Sequence, residues 1–381
     1  MRILKIAYEN IGLFNDGFEV DLIATDKVVD DSQVFPVYSS IYKQNVMGFV
    51  GINATGKTSA LKLIDVALDI VLDHRGLDDL NIPKGIIGEE TVLKVYFFYR
   101  NAFYKFIAMI GLKGDANGEA NKESSYYFRD EIVYQKNKSM VTSRKNVFEF
   151  AEDTMIMQRS KLDQEKRFLK PQDSMITAIT IDHGTIHYDM LWDTNFNVLF
   201  AEGPARKEFV KLFDSGIESI KVDEKKTFIR FKNSEKEVVS NHFAEAHEFL
   251  SSGTIKGINL FNRISQVMKQ GGYLIVDEIE NHLHKKLVQA IIGMFEDGDV
   301  NRNGATLIFS THYTEIIDAI DRKDNIYILR KKKDHFSECV RYSDEISRND
   351  IKKSEVLLAN LIEGTVPKYE DIQQVRDFLC L

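Results

Sequence analysis

Gly51-Ile52-Asn53-Ala54-Thr55-Gly56-Lys57-Thr58 carries two glycines, a lysine and a hydroxyl at the spacing G-x-x-x-x-G-K-[ST]. That pattern suits a polyphosphate. The glycines let backbone N–H groups turn inward, a helix N-terminus adds partial positive charge, and the lysine reaches the terminal phosphates. Asn53, Ala54, Thr55, Gly56, Lys57, Thr58 and Ser59 are the expected contacts, with the Thr58 hydroxyl a ligand for Mg²⁺. A second chemical string is Tyr273-Leu274-Ile275-Val276 running into Asp277-Glu278. An apolar strand that delivers two carboxylates at its C-terminal end lies where open α/β sheets bind ligands. Asp277 is expected to hold Mg²⁺, and Glu278 to orient and deprotonate an attacking water.

The elements around these strings predict their placement. Val46–Val50 reads as a buried strand before the phosphate loop, and Ser59–Leu72 as an amphipathic helix after it. Ile3–Tyr8 and Phe18–Leu22 read as two strands around a turn at Asn15-Asp16-Gly17. Thr91–Tyr99, Asn101–Gly111 and Tyr126–Gln135 are rich in aromatic and β-branched residues and predict an antiparallel meander. Residues 137–170 show no single period. A short helix is expected over Ala205–Phe213 and a strand over Thr227–Phe231. From Ser251 onward strands and helices alternate. Helix Thr254–Met268 stops at Gly271-Gly272 and precedes strand Tyr273–Val276. Helix Lys285–Phe295, strand Thr306–Phe309, helix Thr314–Ile320 and strand Asn325–Leu329 follow. Such alternation implies a parallel sheet with crossover helices.

Leu250-Ser251-Ser252-Gly253-Thr254 precedes the Thr254–Met268 helix. Alone it is an ordinary helix cap. In order, however, the chain has the phosphate loop, L-S-x-G, an apolar strand with D-E, and a strand ending in Ser310-Thr311-His312. This order resembles the ABC ATPase superfamily, and most closely its small bacterial members related to the OLD, RecF and SMC group. Asp277-Glu278-Ile279-Glu280-Asn281-His282-Leu283-His284 is the closest likeness, since that group often reads D-E-P-E-x-H-L-H. The resemblance covers roughly residues 1–75 and 240–330.

The resemblance implies an α/β ABC-ATPase head with a mixed β-sheet around the P-loop. Residues 1–75 and 250–330 would form the nucleotide-binding core. An antiparallel β subdomain would span 76–140, a helical lid 141–249, and a C-terminal extension 331–381. It also implies ATP and Mg²⁺ as cofactors, with Lys57, Glu278 and His312 catalytic. Ser251 and Gly253 would touch the γ-phosphate bound by a second copy, in an ATP-sandwich dimer or a higher homo-oligomer. Asn281 and His282 match the loop crossing that interface. A water- and metal-coordinating glutamine is expected between the phosphate loop and L-S-x-G. Gln172 is preferred, with Gln158 the alternative. The chain departs from the family where Ile279 replaces the common proline and where the signature reads L-S-S-G-T. It also lacks a long coiled coil. By resemblance the chain is an ATPase sensor subunit of a bacterial anti-phage, abortive-infection type system, controlling a separate effector protein. Its rival is a RecF- or SMC-like ATPase that clamps DNA. A transporter subunit fits less well, because the irregular middle and the D-E-I-E-N-H-L-H stretch depart from that group.

Composition bounds these expectations. The chain has 381 residues, a formal net charge of −8 and two cysteines, Cys339 and Cys380. An acidic average disfavours a protein coated in nucleic acid, and two cysteines are no disulfide framework. No apolar run spans a bilayer, and the N-terminus lacks a signal-peptide core, so a cytoplasmic protein without a membrane partner is expected. Other strings have bland readings. Asp182-His183-Gly184-Thr185-Ile186-His187-Tyr188-Asp189 gathers metal-ligand types, but no second cluster is visible to close a shell, so a polar turn at a strand edge is expected. Arg330-Lys331-Lys332-Lys333, Arg159-Ser160-Lys161 and Lys166-Arg167 are basic, and such runs are usually solvated. Val356-Leu357-Leu358 and Leu361-Ile362 suit a helix that packs on the core, or else a docking surface.

Overall fold

The computed structural model describes residues 1–113, 125–162, 169–192, 198–200, 203–223, 226–240, 243–348 and 350–380. Lys166 and Arg167 lie outside the described residues. The first strands are β1 (Arg2–Ile11), β2 (Phe18–Asp21), β3 (Val34–Tyr38), β4 (Ile41–Gln44) and β5 (Val46–Val50). After the phosphate loop comes α1 (Lys57–Leu68), continued by a π-helical turn over Asp69–Asp73. The meander is β6 (Ile87–Tyr99), β7 (Ala102–Lys113) and β8 (Ser125–Asn137), with β9 (Met155–Gln158) beside it. The middle holds α2 (Thr177–Thr180), β10 (His187–Met190), β11 (Gly203–Pro204), α3 (Lys207–Phe213), β12 (Ile217–Asp223), β13 (Lys226–Phe231) and β14 (Val238–Ser240). The last third is α4 (Ser252–Gln270), β15 (Tyr273–Val276), α5 (Lys285–Glu296), β16 (Thr306–Thr311), β17 (Ile326–Lys331), β18 (Ser337–Arg341), α6 (Tyr342–Glu345), α7 (Lys353–Leu358) and α8 (Tyr369–Leu379).

The sheet that carries the chemistry runs β10-β15-β16-β5-β17-β18. Every neighbouring pair is parallel except β17 with β18. Strands β5, β15 and β16 are buried throughout, as expected when both faces are covered. Alternation assigns the two faces. Met47, Phe49, Tyr273 and Ile275 pack with Leu61 and Ile64 of α1 and with the antiparallel sheet. Val46, Val50, Leu274 and Val276 pack with Leu260 and Ile264 of α4 and with Val288, Ile291 and Ile292 of α5. Because β5, β15 and β16 are parallel, their C-terminal ends meet at one edge. The second six-stranded sheet, β2-β1-β6-β7-β8-β9, contains the expected meander, and the N-terminal strands join it.

The segment 141–249 differs from the helical lid that was expected. Among the described residues it holds a four-stranded sheet, β11-β12-β13-β14, and its α-helices are only α2 and α3. Ile217, Ile220 and Val222 of β12 and Ile229 of β13 form a small core with Val210 of α3 and with Ile255 and Ile258 of α4. β10, in the same segment, adds an edge strand to the nucleotide-binding sheet, and β18 extends that sheet beyond residue 330. Thr314–Ala319 is a 3₁₀ helix rather than an α-helix, a common outcome for so short a turn. In the C-terminal stretch, Val356, Leu357 and Ile362 are buried against the α5 side of the core. The Ser354 amide and hydroxyl both donate to the Asp318 carboxylate, at 3.0 and 2.5 Å.

Glu296 ends α5 with its carboxyl nearly buried, and its Oε1 has no partner among the described residues. Burial, followed by the charge of Asp321, pushes its pKa up to about 8. A carboxyl raised on folding contributes stability that is fully present below its unfolded pKa and is lost as pH rises through the folded value. The wild-type chain is therefore expected to lose more stability than Glu296→Gln between about pH 5 and pH 8. The gap at full ionisation should be about 5 kcal/mol. Urea midpoints of both chains at the two ends of that range measure it.

Candidate functional site

The loop between β5 and α1 is built to bend. Gly56 has φ +98°, a left-handed conformation that a side chain strains. A Cβ at Gly51 would stand 2.3 Å from the Leu329 carbonyl oxygen, so β17 passes too close for any other residue. The Thr55 hydroxyl closes the loop on the Ile52 carbonyl at 2.8 Å. Behind it, Lys57 is held in the cleft. Its ammonium donates to the carbonyls of Gly51 at 2.8 Å and Ile52 at 3.0 Å, and lies 3.2 Å from His312 Nδ1. Burial lowers its pKa, against the raising fields of Asp277, Glu278 and Glu280.

The acids arrive from β15. The Thr58 hydroxyl donates to Asp277 Oδ2 at 2.7 Å, across the width of two strands. The Ser310 hydroxyl, at the end of β16, donates to Asp277 Oδ1 and accepts the Glu278 N–H at 2.8 Å. Glu278 sits at φ +46°, a costly conformation for a non-glycine residue that persists only where its surroundings hold it. Here they do so on both sides, because its carbonyl accepts the Lys256 ammonium at 2.9 Å. Lys256 lies inside α4 and is almost fully buried. Burial lowers its pKa to about 8, while Glu280, Glu278 and Asp277 act to raise it. Glu280 Oε1 accepts the His312 N–H at 2.7 Å.

His312 joins the cation to the candidate base. Its Nε2 is 3.0 Å from Glu278 Oε1 and its Nδ1 faces Lys57. An ammonium can only donate, so Nδ1 is the acceptor and Nε2–H donates to the carboxylate. Lys57, Thr58, Glu278, Glu280 and His312 open into one cleft of about 870 Å³, which Asn53, Ala54, Gly56, Ser59, Asn281 and His282 also line, while Asp277, Ser310 and Lys256 stand behind its wall. An oxygen pair such as Thr58 Oγ1 with Asp277 suits a hard divalent cation.

Ser251 and Gly253 do not line this cleft. Ser251 caps α4, accepting the Thr254 N–H at 3.0 Å. A Cβ at Gly253 would stand 2.7 Å from the His282 carbonyl oxygen, so the glycine lets α4 approach the rim loop. The Ser252 hydroxyl reaches His282 Nδ1 at 3.2 Å. Neither expected glutamine reaches the cleft. Gln172 offers its carbonyl to the Leu77 N–H at 3.0 Å, and the Gln158 side chain donates to Asp130 at 2.8 Å. No glutamine is among the residues lining the cleft. The substitution at Ile279 has a local reason. Its side chain is fully buried, and its N–H donates to the Ser310 carbonyl at 3.1 Å, a bond that proline cannot make. Sequence reasoning missed Lys256, Ser310 and Glu280 as supports.

A protein-family model described as "AAA domain, putative AbiEii toxin, Type IV TA system" matches residues 46–318. No curated protein sequence matches the chain. Among the described residues, no helix is long and apolar enough to cross a membrane.

Proposed function

Because the chain belongs to this AAA-domain family of P-loop nucleotide-binding ATPases, we propose that it binds ATP with Mg²⁺ in the cleft and hydrolyses it. The observation that carries the proposal is the 2.7 Å bond from Thr58 to Asp277, which unites the phosphate loop with the acidic strand end. Thr58 and Asp277 would hold Mg²⁺, which would supply positive charge to offset that of the phosphates. Lys57 would exchange one of its present partners for a phosphate oxygen. Glu278 would take the proton of the attacking water, with its carboxylate oriented by His312. A base fixed by backbone and side chain alike acts chiefly by positioning.

Ser251 and Gly253 stand outside their own chain's cleft, and we assign them to the γ-phosphate bound by a second copy. The biological role proposed is that of an ATPase subunit that controls a separate effector in an abortive-infection type system. The family description, which names a toxin of a type IV toxin–antitoxin system, supports that setting. DNA clamping has less support. Within the basic run, Arg330 pairs with Glu338 and Glu345, and Lys332 with Asp16. A DNA clamp would show salt-dependent duplex binding that strengthens with ATP.

The test is the solution mass of Glu278→Gln with and without Mg-ATP. Mass is expected at least to double on ATP addition, and Ser251→Arg in the same background to abolish the increase. A chain that binds ATP and remains a monomer would sink the shared-site assignment, while leaving nucleotide binding to be judged separately.

A further inference from the structure

The stretch Asp182–Asp189 offered metal-ligand residue types with nothing in the sequence to complete them. The fold supplies what was missing. His187 opens β10, and its buried ring faces the end of α1, where Asp65, Asp69 and Asp73 recur at four-residue spacing. His187 Nε2 is 2.8 Å from Asp65 Oδ1. Its other nitrogen, Nδ1, lies 3.2 Å from Asp73 Oδ2 and 3.9 Å from Asp69 Oδ1. Among the described residues, Asp69, Asp73 and His187 form a group whose ligand atoms all fall within 4.8 Å of one another.

We propose that His187 Nδ1, Asp69 Oδ1 and Asp73 Oδ2 form a binding site for a divalent first-row transition cation, separate from the nucleotide cleft. Three arguments support it. Metal–nitrogen and metal–oxygen bonds of about 2.0–2.2 Å span ligand atoms up to roughly 4.2 Å apart, so both nitrogen–oxygen pairs are already in reach. The carboxylate of Asp65 behind the ring is the kind of partner that orients metal-binding histidines, and the cation would replace the proton that Nδ1 now shares with Asp73. Access is also provided, because the Asp73 side chain is 37 % exposed while those of His187 and Asp69 are at 2 % and 5 %. One imidazole and two carboxylates with open positions suit Mn²⁺, Co²⁺ or Zn²⁺ better than an all-oxygen cage would. Arg75 Nη1 donates to both oxygens of Asp69, Oδ2 at 3.0 Å and Oδ1 at 3.2 Å, so a cation at Oδ1 would take that oxygen over from the guanidinium, which keeps Oδ2.

The location gives the ion a purpose. α1 begins at Lys57, and β10 pairs in parallel with β15, setting Met190 opposite Val276, the residue before Asp277. A cation here would clamp the far end of the phosphate-loop helix to the strand beside the acidic one.

The test uses the full-length chain, stripped of metal with EDTA and kept free of nucleotide and Mg²⁺. It is titrated with Mn²⁺ and followed by electron paramagnetic resonance. One Mn²⁺ per chain is expected, with an imidazole nitrogen coupling in the pulsed spectrum. Affinity should fall at least tenfold in Asp73→Asn, whose side chain is partly exposed and not needed for the core. Binding and coupling should both persist in Asp277→Asn, which removes the acid of the nucleotide cleft. The proposal is overturned by absence of saturable binding, by a bound ion without nitrogen coupling, or by equal binding in wild type and Asp73→Asn. In each of those cases His187 is only an ion-paired strut between α1 and β10. The outcome is independent of whether the cleft hydrolyses ATP.

Discussion

Lys57→Met is expected to lower nucleotide affinity by at least a hundredfold and to leave no measurable turnover. The side chain it replaces is the cleft's cation on the phosphate loop, held by two loop carbonyls and by His312. Methionine keeps the length and apolar stem but supplies no donor. Two carbonyl dipoles would then point at the incoming phosphates without a cation between them. A charge-assisted bond to phosphate contributes roughly 1.5–3 kcal/mol, and the uncovered carbonyls add an unfavourable field. Equilibrium binding of a fluorescent ATP analogue reads the loss. Binding within threefold of wild type would show that the loop backbone alone holds the phosphates.

Glu131→Ala should destabilise the chain by about 3–5 kcal/mol without touching the cleft. Glu131 lies on β8 with no exposure at all, and burial pushes its carboxyl above the usual range despite a cation beside it. Its Oε2 meets Arg159 at 2.5 Å and accepts the Met175 N–H at 3.1 Å, and Oε1 takes the Ser174 hydroxyl. Arg159 in turn donates to the carbonyls of Asp173 and Lys170, each at 2.8 Å. One carboxylate therefore fastens two excursions of chain to the antiparallel sheet. Removing it takes the counter-charge from a buried guanidinium that keeps its carbonyl partners, which costs more than the pair contributes. Denaturant unfolding of Glu131→Ala beside Glu131→Gln measures this. The amide keeps the shape and part of the hydrogen bonding and should lose less. Equal stability of wild type and Glu131→Ala would disprove the account.

What the sequence revealed and what it hid follow from distance along the chain. The phosphate loop, the Asp277-Glu278 strand end and Ser310-Thr311-His312 are each continuous strings, so their chemistry was visible in residue types. The meander was visible because aromatic and β-branched residues repeat over three long strands. The supports were not visible. Ser310 reaches Asp277 across 33 positions, Lys256 reaches Glu278 across 22, and His187 reaches Asp65 across 122. Edge strands were also lost. β10 and β18 are short and partly polar because one side of each lacks a partner strand, which weakens the buried-strand pattern. The sheet of residues 203–240 is a different kind of miss. Ile217, Ile220 and Val222 mark a buried strand face, but the expectation of a helical lid came from the family resemblance rather than from those residues. The same resemblance placed a glutamine in the cleft, and Gln172 and Gln158 both lie elsewhere.

The bond from Lys256 to the Glu278 carbonyl has a consequence for timing. α4 is a rod of 19 residues, about 28 Å long. Ser251 stands at its head, and Lys256 lies little more than one turn further along. Whatever docks at Ser251 therefore presses on the short arm of a lever whose contact point is the backbone of Glu278. A helix does not compress, so a shift at the head should reach the carboxylate almost undiminished, while a push at the Gln270 end should pivot about the packed middle. On this geometry a displacement of the Ser251 end of α4 is felt at the Glu278 backbone through Lys256, more directly than a displacement of the Gln270 end.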